Sequence, residues 1–270
     1  MHNFPTELVN MVIDELVEFP KPSRDVPYRY MSKYSTVSRQ WVEGTQKYHF
    51  YFIHLVGQNA LKKWRAAIEP DPSGVSRHVR RLGLAKIDTL QGSEIHVGAF
   101  TRVQEADIFR CGFLYSLSDV ETFRSMGSSL VRLDIHGAQT TPHLMALLLA
   151  GLPRLRKLFT YAIDVKREHN SGALPLNIPF FEDANSLDLG INDYSPGKLD
   201  WIPPTARFRH LQIKVDCIRN NPALVNSWLA SSGESLQSLI IEKGTGGGTS
   251  FTSLAQPRSR FPPSDSATSS

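Results

Sequence analysis

Catalysis needs nucleophiles, bases or metal ligands that the chain can bring together, and here the candidates are its histidines, cysteines and glycine runs. The chain has nine histidines, and none pairs with another at i,i+3 or i,i+4, the spacing that sets two imidazoles on one helix face around a metal ion. Its two cysteines, Cys111 and Cys217, stand over a hundred residues apart, and neither Cys-x-x-Cys nor His-Glu-x-x-His occurs. A Gly-x-Ser-x-Gly elbow, which would expose a serine nucleophile at a strand-to-helix turn, is missing. The run Gly244-Thr245-Gly246-Gly247-Gly248 lacks the Gly-Lys-Ser/Thr ending by which a glycine loop grips phosphate. These residues predict a protein that is not an enzyme and uses no metal and no cofactor.

Composition narrows the setting. Two cysteines in 270 residues exclude a disulfide framework and point to a reducing compartment. The N-terminus carries no basic start followed by an apolar run, and no stretch approaches the roughly 20 apolar residues of a membrane span. No Asn-x-Ser/Thr acceptor is present. The expected location is cytoplasmic or nuclear, without membrane contact. Net charge is a mild +4, with Lys62, Lys63, Arg65, Arg77, Arg80, Arg81 and Lys86 making one basic region. Nucleic acid or an acidic partner would suit that region. No aromatic stacking platform accompanies it, so nucleic acid is disfavoured and a solvated helix and strand face is the expectation.

The elements that must position any functional surface begin at the N-terminus. From a capping Thr6, Leu8, Val9, Val12, Ile13, Leu16 and Val17 recur at the spacing of one helix face, with Glu7, Asp14 and Glu15 opposite. Phe4 stands where a hydrophobic staple packs back on the first turn, and Pro5 keeps the entering chain extended. After a proline-rich break from Pro20 to Pro27, Tyr30, Met31, Tyr34, Val37 and Trp41 again fall on one face. Two helices this short cannot cover their own stripes, so a neighbouring domain or a partner helix must do so.

Phe4-Pro5-Thr6-Glu7-Leu8 and Val37-Ser38-Arg39-Gln40-Trp41, at the two ends of this segment, resemble the F-box pattern. That pattern opens with an apolar residue, Pro, any residue and Glu-Leu, and it closes in Val-Ser/Cys-Arg-x-Trp. The connection from Lys21 to Tyr30 is longer than in the compact form of the family. The resemblance implies a three-helix module that docks on the Skp adaptor of a cullin-type ubiquitin ligase. Carried over residue by residue, it places Phe4, Pro5, Glu7, Leu8, Ile13, Leu16, Val37 and Trp41 at or beneath the adaptor contact.

The rest of the chain carries a weak repeat. Ile53, Leu82, Leu133, Leu158, Leu187, Leu211 and Leu239 follow one another with gaps of 29, 51, 25, 29, 24 and 28. The gap of 51 is near twice the others and hides one more unit near Ile108, where Ala106-Asp107-Ile108-Phe109 is a poor strand. An apolar residue precedes each anchor by three (Val79, Leu130, Leu155, Ala184, Phe208, Leu236), and another often follows by two (Leu84, Ile135, Leu189, Ile213, Ile241). Such alternation sends one side of each strand into a shared core. Helices are written between the strands: Thr141-Pro142 to Gly151, Asn221-Pro222 to Gly233, and Ser118-Asp119-Val120-Glu121 as a capping box running to Gly127.

The resulting Leu-x-x-Leu-x-Leu signature resembles a degenerate leucine-rich repeat, nearest in Leu187-Asp188-Leu189-Gly190-Ile191-Asn192. A doubly wound sheet would alternate similarly but normally has longer, near-continuous apolar strands. The expected fold class is α/β: an N-terminal three-helix F-box over 1–50, a leucine-rich-repeat-like solenoid of short parallel strands and helices over 51–243, and a disordered Gly/Ser/Pro tail over 244–270. The strand Leu239-Ile240-Ile241 would end the array without a closing cap, as a truncated solenoid or one completed by a partner would. The implied function is the substrate-recognition subunit of an SCF-type cullin-RING E3 ubiquitin ligase. Its partners would be the Skp adaptor, cullin through it, and an unknown protein target on the repeats. The alternative is a non-catalytic scaffold of leucine-rich-repeat type in which the N-terminal helices serve only as a cap.

Overall fold

The computed structural model describes residues 7–9, 11–12, 41–42, 45, 50–68, 76–90, 100–166, 188–192, 199, 201–242 and 251–254. Short strands alternate with helices along most of this length. In chain order the strands are β1 (Phe52–Val56), β2 (Arg81–Ala85), β3 (Glu105–Phe109), β4 (Arg132–His136), β5 (Gln139–Thr140), β6 (Lys157–Tyr161), β7 (Asp164–Val165), β8 (Asp188–Asn192), β9 (His210–Lys214), β10 (Ser238–Glu242) and β11 (Phe251–Leu254). The helices among them are α1 (Gly57–Ile68), α2 (Leu117–Met126), α3 (Pro142–Ala150), α4 (Val215–Asn220) and α5 (Pro222–Ser232). The fold is mixed α/β, built on a parallel sheet.

The main sheet has nine strands in the order β1-β2-β3-β4-β6-β8-β9-β10-β11, while β5 and β7 pair separately. Every pairing from β1 to β10 is parallel, and β11 joins β10 antiparallel. Spatial order therefore follows chain order, with none of the reversals at which a doubly wound sheet opens its ligand crevice. β11 lies within the stretch that composition marks as a tail.

Strand register confirms most of the sequence alignment to the residue. Ile53, Leu82, Leu133, Leu158, Leu211 and Leu239 lie in one cross-strand row, and Ala106 fills the unit hidden in the long gap. One anchor is corrected. Leu189, not Leu187, occupies the row in β8; Leu187 lies outside the described residues, as does Ala184. A slip of two residues preserves the side of the sheet on which a side chain falls, so Leu187-x-Leu189-x-Ile191 satisfies the alternation at either setting. Two residues further on, Leu84, Ile108, Ile135 and Ile213 make a second buried row, in which Thr160 takes the place of an aliphatic side chain.

The residue three positions before each anchor is buried at Val79, Val103, Leu130, Leu155 and Phe208. These positions join the strand rows and the inner sides of α2, α3 and α5, including Phe123, Leu148 and Trp228, in one core. Full burial of a leucine or phenylalanine there contributes about 2 kcal/mol. Trp228 packs edge-on against Phe208 at 5.8 Å and donates its indole N–H to the Pro203 carbonyl at 3.1 Å.

Capping explains where the helices start. Thr141 Oγ1 accepts from the Leu144 N–H at 3.2 Å, Pro142 opens α3, and Gly151 follows it. α2 starts earlier than its capping box suggested: the cap is Ser116, whose hydroxyl accepts from the Asp119 N–H at 3.4 Å. The buried Asp119 carboxylate instead accepts from Thr89 Oγ1 at 2.9 and 3.1 Å and from the Leu90 N–H at 2.8 Å, tying α2 to the chain leaving β2. Asn221 makes no side-chain cap on α5; its amide donates to the Cys217 carbonyl at 3.3 Å.

The chain leaves the sheet the same way in successive units. Gly57, Lys86, Arg110, Gly137 and Ala162 each follow the last residue of a strand, and all have left-handed φ between 51° and 76°. Lys86, Arg110 and Gly137 donate their N–H groups to the carbonyls of Phe109, His136 and Tyr161 on the next strand, extending the ladder one residue beyond the strands.

Candidate interaction surfaces

Among the N-terminal residues, 7–9 and 11–12 are helical. Leu8, Met11 and Val12 stand at i, i+3 and i+4 and are 47, 66 and 47 % exposed, with Glu7 exposed beside them, whereas Val9 is buried. Val9 is thus turned inward while Leu8, Met11 and Val12 present an apolar triplet to solvent. Trp41, Val42 and Thr45 are helical as well. Trp41 is half-buried, and Thr45 Oγ1 donates to the carbonyls of Trp41 at 2.7 Å and Val42 at 3.1 Å, a back-bond that satisfies a buried hydroxyl within its own helix. Of the residues matched to the F-box pattern, Glu7, Leu8 and Trp41 are thus on helical backbone; Phe4, Pro5, Ile13, Leu16 and Val37 lie outside the described residues.

The second surface is the side of the sheet opposite the helices, where residues at the odd strand positions project. It is polar and aromatic. On β1, Phe52 and His54 stack at 5.9 Å, and a Cβ added at Gly83 on β2 would meet His54 Cδ2 at 2.7 Å, so the bare glycine is what lets the imidazole lie against the sheet. Arg81 crosses from β2 to Asp107 on β3, with Nη2 at 2.6 Å and Nε at 2.9 Å from Oδ2, and Nε stands 3.7 Å from Glu105. Arg132 holds Asp134 with Nη2 at 2.8 Å. Both guanidiniums also lie over rings, Arg81 on Phe52 and Arg132 on Phe159, each at 5.1 Å. The Asp134 carboxylate, hydrogen-bonded to Arg132, holds the guanidinium pKa above its ordinary value.

The last position of each strand forms a rim. Phe109, His136 and Tyr161 are stepped across β3, β4 and β6, with centroids 6.3 and 5.8 Å apart. Arg110 lies over Phe109 at 5.2 Å, and the buried Lys214 places Nζ 5.0 Å from the Tyr161 centroid. Phe109 and Tyr161 nevertheless keep 42 % of their surface exposed.

The basic stretch of the sequence does not stay together as one patch. Lys62 and Lys63 are exposed on α1, Arg80 donates to the carbonyls of Arg77 and Val79, Arg81 belongs to the carboxylate pairs of the open face, and Lys86 stands on the rim. Arg156 likewise donates to the Leu155 carbonyl. Cys111 and Cys217 are both buried. Burial pushes the Cys111 thiol up from its ordinary value, which keeps it protonated and unreactive.

Among the described residues no group of three His, Cys, Asp or Glu side chains could hold a metal ion, and no helix is long and apolar enough to cross a membrane. Sequence reading located the apolar half of each strand and missed the open face, where no single residue type recurs along the array as leucine does on the buried side. The signal that would have found them is parity: once Leu82 and Leu84 are assigned inward, Arg81, Gly83 and Ala85 must face the other way. No protein-family model matches the chain, and no curated protein matches it.

Proposed function

We propose that this chain is the substrate-recognition subunit of an SCF-type cullin-RING E3 ubiquitin ligase, docking on the Skp adaptor through its N-terminal helices and on a protein target through the open sheet face. The observation that carries the reading is the exposed triplet Leu8, Met11 and Val12 on helical backbone, within the segment whose ends match the F-box pattern. An apolar helix face left in water is what a partner helix laid against it would cover. We read the sheet as a leucine-rich-repeat-like solenoid. Support comes from the chain-ordered parallel strands, the two aliphatic rows in register and the left-handed residue that closes successive units.

The mechanism is proximity. A target held on the open face is presented to the charged ubiquitin-conjugating enzyme at raised effective concentration, and the chain supplies no nucleophile or base. The test is capture of the full chain by purified Skp adaptor, repeated with residues 1–50 removed. Capture that vanishes with the deletion supports the reading; absence of capture by the full chain overturns it. In that case the second reading takes over, a scaffold that binds proteins through the same sheet face without ligase association. The polar and aromatic character of that face favours it independently of the N-terminal motif.

A further inference from the structure

The last two strands of the sheet differ from those before them. From β2 to β9 the described residues of both inner rows are buried, whereas all five residues of β10, Leu239 and Ile241 among them, stay half-buried although β11 lies beside them. Among the described residues β11 is also the one antiparallel strand of this sheet, and eight residues, 243–250, four of them glycine, separate it from β10. Its register sets Leu254 opposite Leu239, but Ser253 opposite Ile240, Thr252 opposite Ile241 and Phe251 opposite Glu242. Three consecutive aliphatic residues of β10 are therefore set against one aliphatic residue and two hydroxyl-bearing ones. β10 suits itself better. Turned antiparallel about Ile240, Ser238-Leu239-Ile240-Ile241-Glu242 sets Ile240 opposite its own copy, Leu239 opposite Ile241 and Ser238 opposite Glu242. Every aliphatic residue then has an aliphatic partner, no like charges oppose each other, and the helices of both copies stay on one side of the joined sheet.

We propose that the β10 edge is a self-association seam, at which two copies of the chain pair β10 with β10 across a two-fold axis, and that β11 is the strand that holds this edge closed within one chain. Tethering decides which of the two occupies it. A strand joined by a short connection competes at an effective concentration of order millimolar, so a second copy at micromolar concentration is at a roughly thousandfold disadvantage until β11 is displaced. Once it is displaced, an aliphatic edge with unpaired backbone groups is a template for another strand, and two-fold pairing closes after two copies instead of growing into a filament. A single five-residue strand pair buries far less than the roughly 1,600 Å² of a standard interface, so the dimer is weak and concentration-dependent. Neither the seam nor its cap depends on adaptor binding.

The test uses the full chain without any adaptor. T252P/S253P takes at least one ladder N–H from β11, because neighbouring residues of a strand aim their N–H groups to opposite sides. In sedimentation velocity at about 100 μM the parent is expected to be monomeric and the variant to shift toward dimer, with a dimer Kd at least about tenfold below the parent's. Adding I240K is expected to restore the monomer, since two lysines would then oppose each other on the axis. Cross-linking locates the seam. On mild oxidation I240C in the proline background is expected to form an intermolecular disulfide, and Q212C, one strand inward in the same register row, is not; Cys111 and Cys217 are buried and do not compete. I240C without the prolines is expected to cross-link at least about tenfold more slowly, at a rate that rises with concentration, and this keeps the seam testable if the proline pair lowers the unfolding temperature. A T252P/S253P chain that stays monomeric, I240C cross-linking no faster than Q212C in both backgrounds, or I240C cross-linking equally fast with and without the prolines overturns the proposal.

Discussion

The two faces of the main sheet are built from the same strands and answer to different demands. On the helix-covered face the same kind of side chain returns at each step: Leu82, Leu133, Leu158 and Leu211 in one row, Leu84, Ile108, Ile135 and Ile213 in the next. On the open face each strand carries a different set, from Phe52 and His54 through Arg81, the acidic pair Asp107 and Asp134, and Phe159 to Gln212. Burial against neighbours of like shape fixes the first face, because an array of stacked units closes only if each presents the same apolar profile to the next. The second face is held by ion pairs and ring contacts that differ from strand to strand, which is where recognition of a partner can be written.

That contrast can be broken most forcefully by exchanging the effects of the two faces. Leu133→Ala, in the buried row, is expected to lower the unfolding free energy by about 2–5 kcal/mol in urea, whereas Lys157→Ala, on the exposed side of the neighbouring strand, is expected to change it by under about 0.5 kcal/mol. Comparable losses would mean that both faces are packed. Next in size is the link between units. Asp119→Ala removes the buried carboxylate that accepts from the Leu90 N–H and the Thr89 hydroxyl and is expected to cost about 1–3 kcal/mol, with Asp119→Asn recovering part of it by restoring an acceptor; equal losses in the two variants would remove the link.

A smaller effect separates the turn residues. Gly137→Ala places a Cβ 3.2 Å from Arg110 Cγ at φ +62° and is expected to cost about 1–2 kcal/mol by the same denaturation assay. Ala162→Gly, at φ +51°, is expected to be neutral or mildly stabilising. The finest effect is on pH. Burial raises the Cys111 pKa, so the folded chain keeps a proton that the unfolded chain loses above about pH 8.5; the associated stability is present below that pH and declines as pH rises through it. Cys111→Ala is expected to flatten the part of the alkaline decline that this thiol causes, and identical pH profiles would show that the thiol does not contribute.

Much of the buried face was legible in the sequence and little of the open one. Leucine and isoleucine at matching offsets gave the register because burial selects for them at every turn of the array. β3 was hardest to see because its anchor is Ala106, which fills the row without the bulk that marks the others. β8 was placed two residues early because alternation is blind to an even slip. The turn positions were hidden because Lys86, Arg110 and Ala162 adopt a conformation that only Gly57 and Gly137 announce by residue type. The α2 cap was misread because both Ser116 and Ser118 can initiate a helix, and the choice rests on the contact that Asp119 makes with Thr89 and Leu90. At the N-terminus the pattern marked Leu8, and its exposure together with Met11 and Val12 emerged only from the fold.

The central claim is tested most directly by titrating purified Skp adaptor into the full chain and into Leu8→Asp/Val12→Asp by calorimetry. Both substitutions lie on the exposed apolar side of the N-terminal helix, so thermal unfolding of the variant is expected to match the parent. The account predicts saturable binding by the parent and at least about a hundredfold loss in the variant, since two charges would be buried without partners at the contact. Equal affinity in both chains, or no binding by the parent, would contradict it.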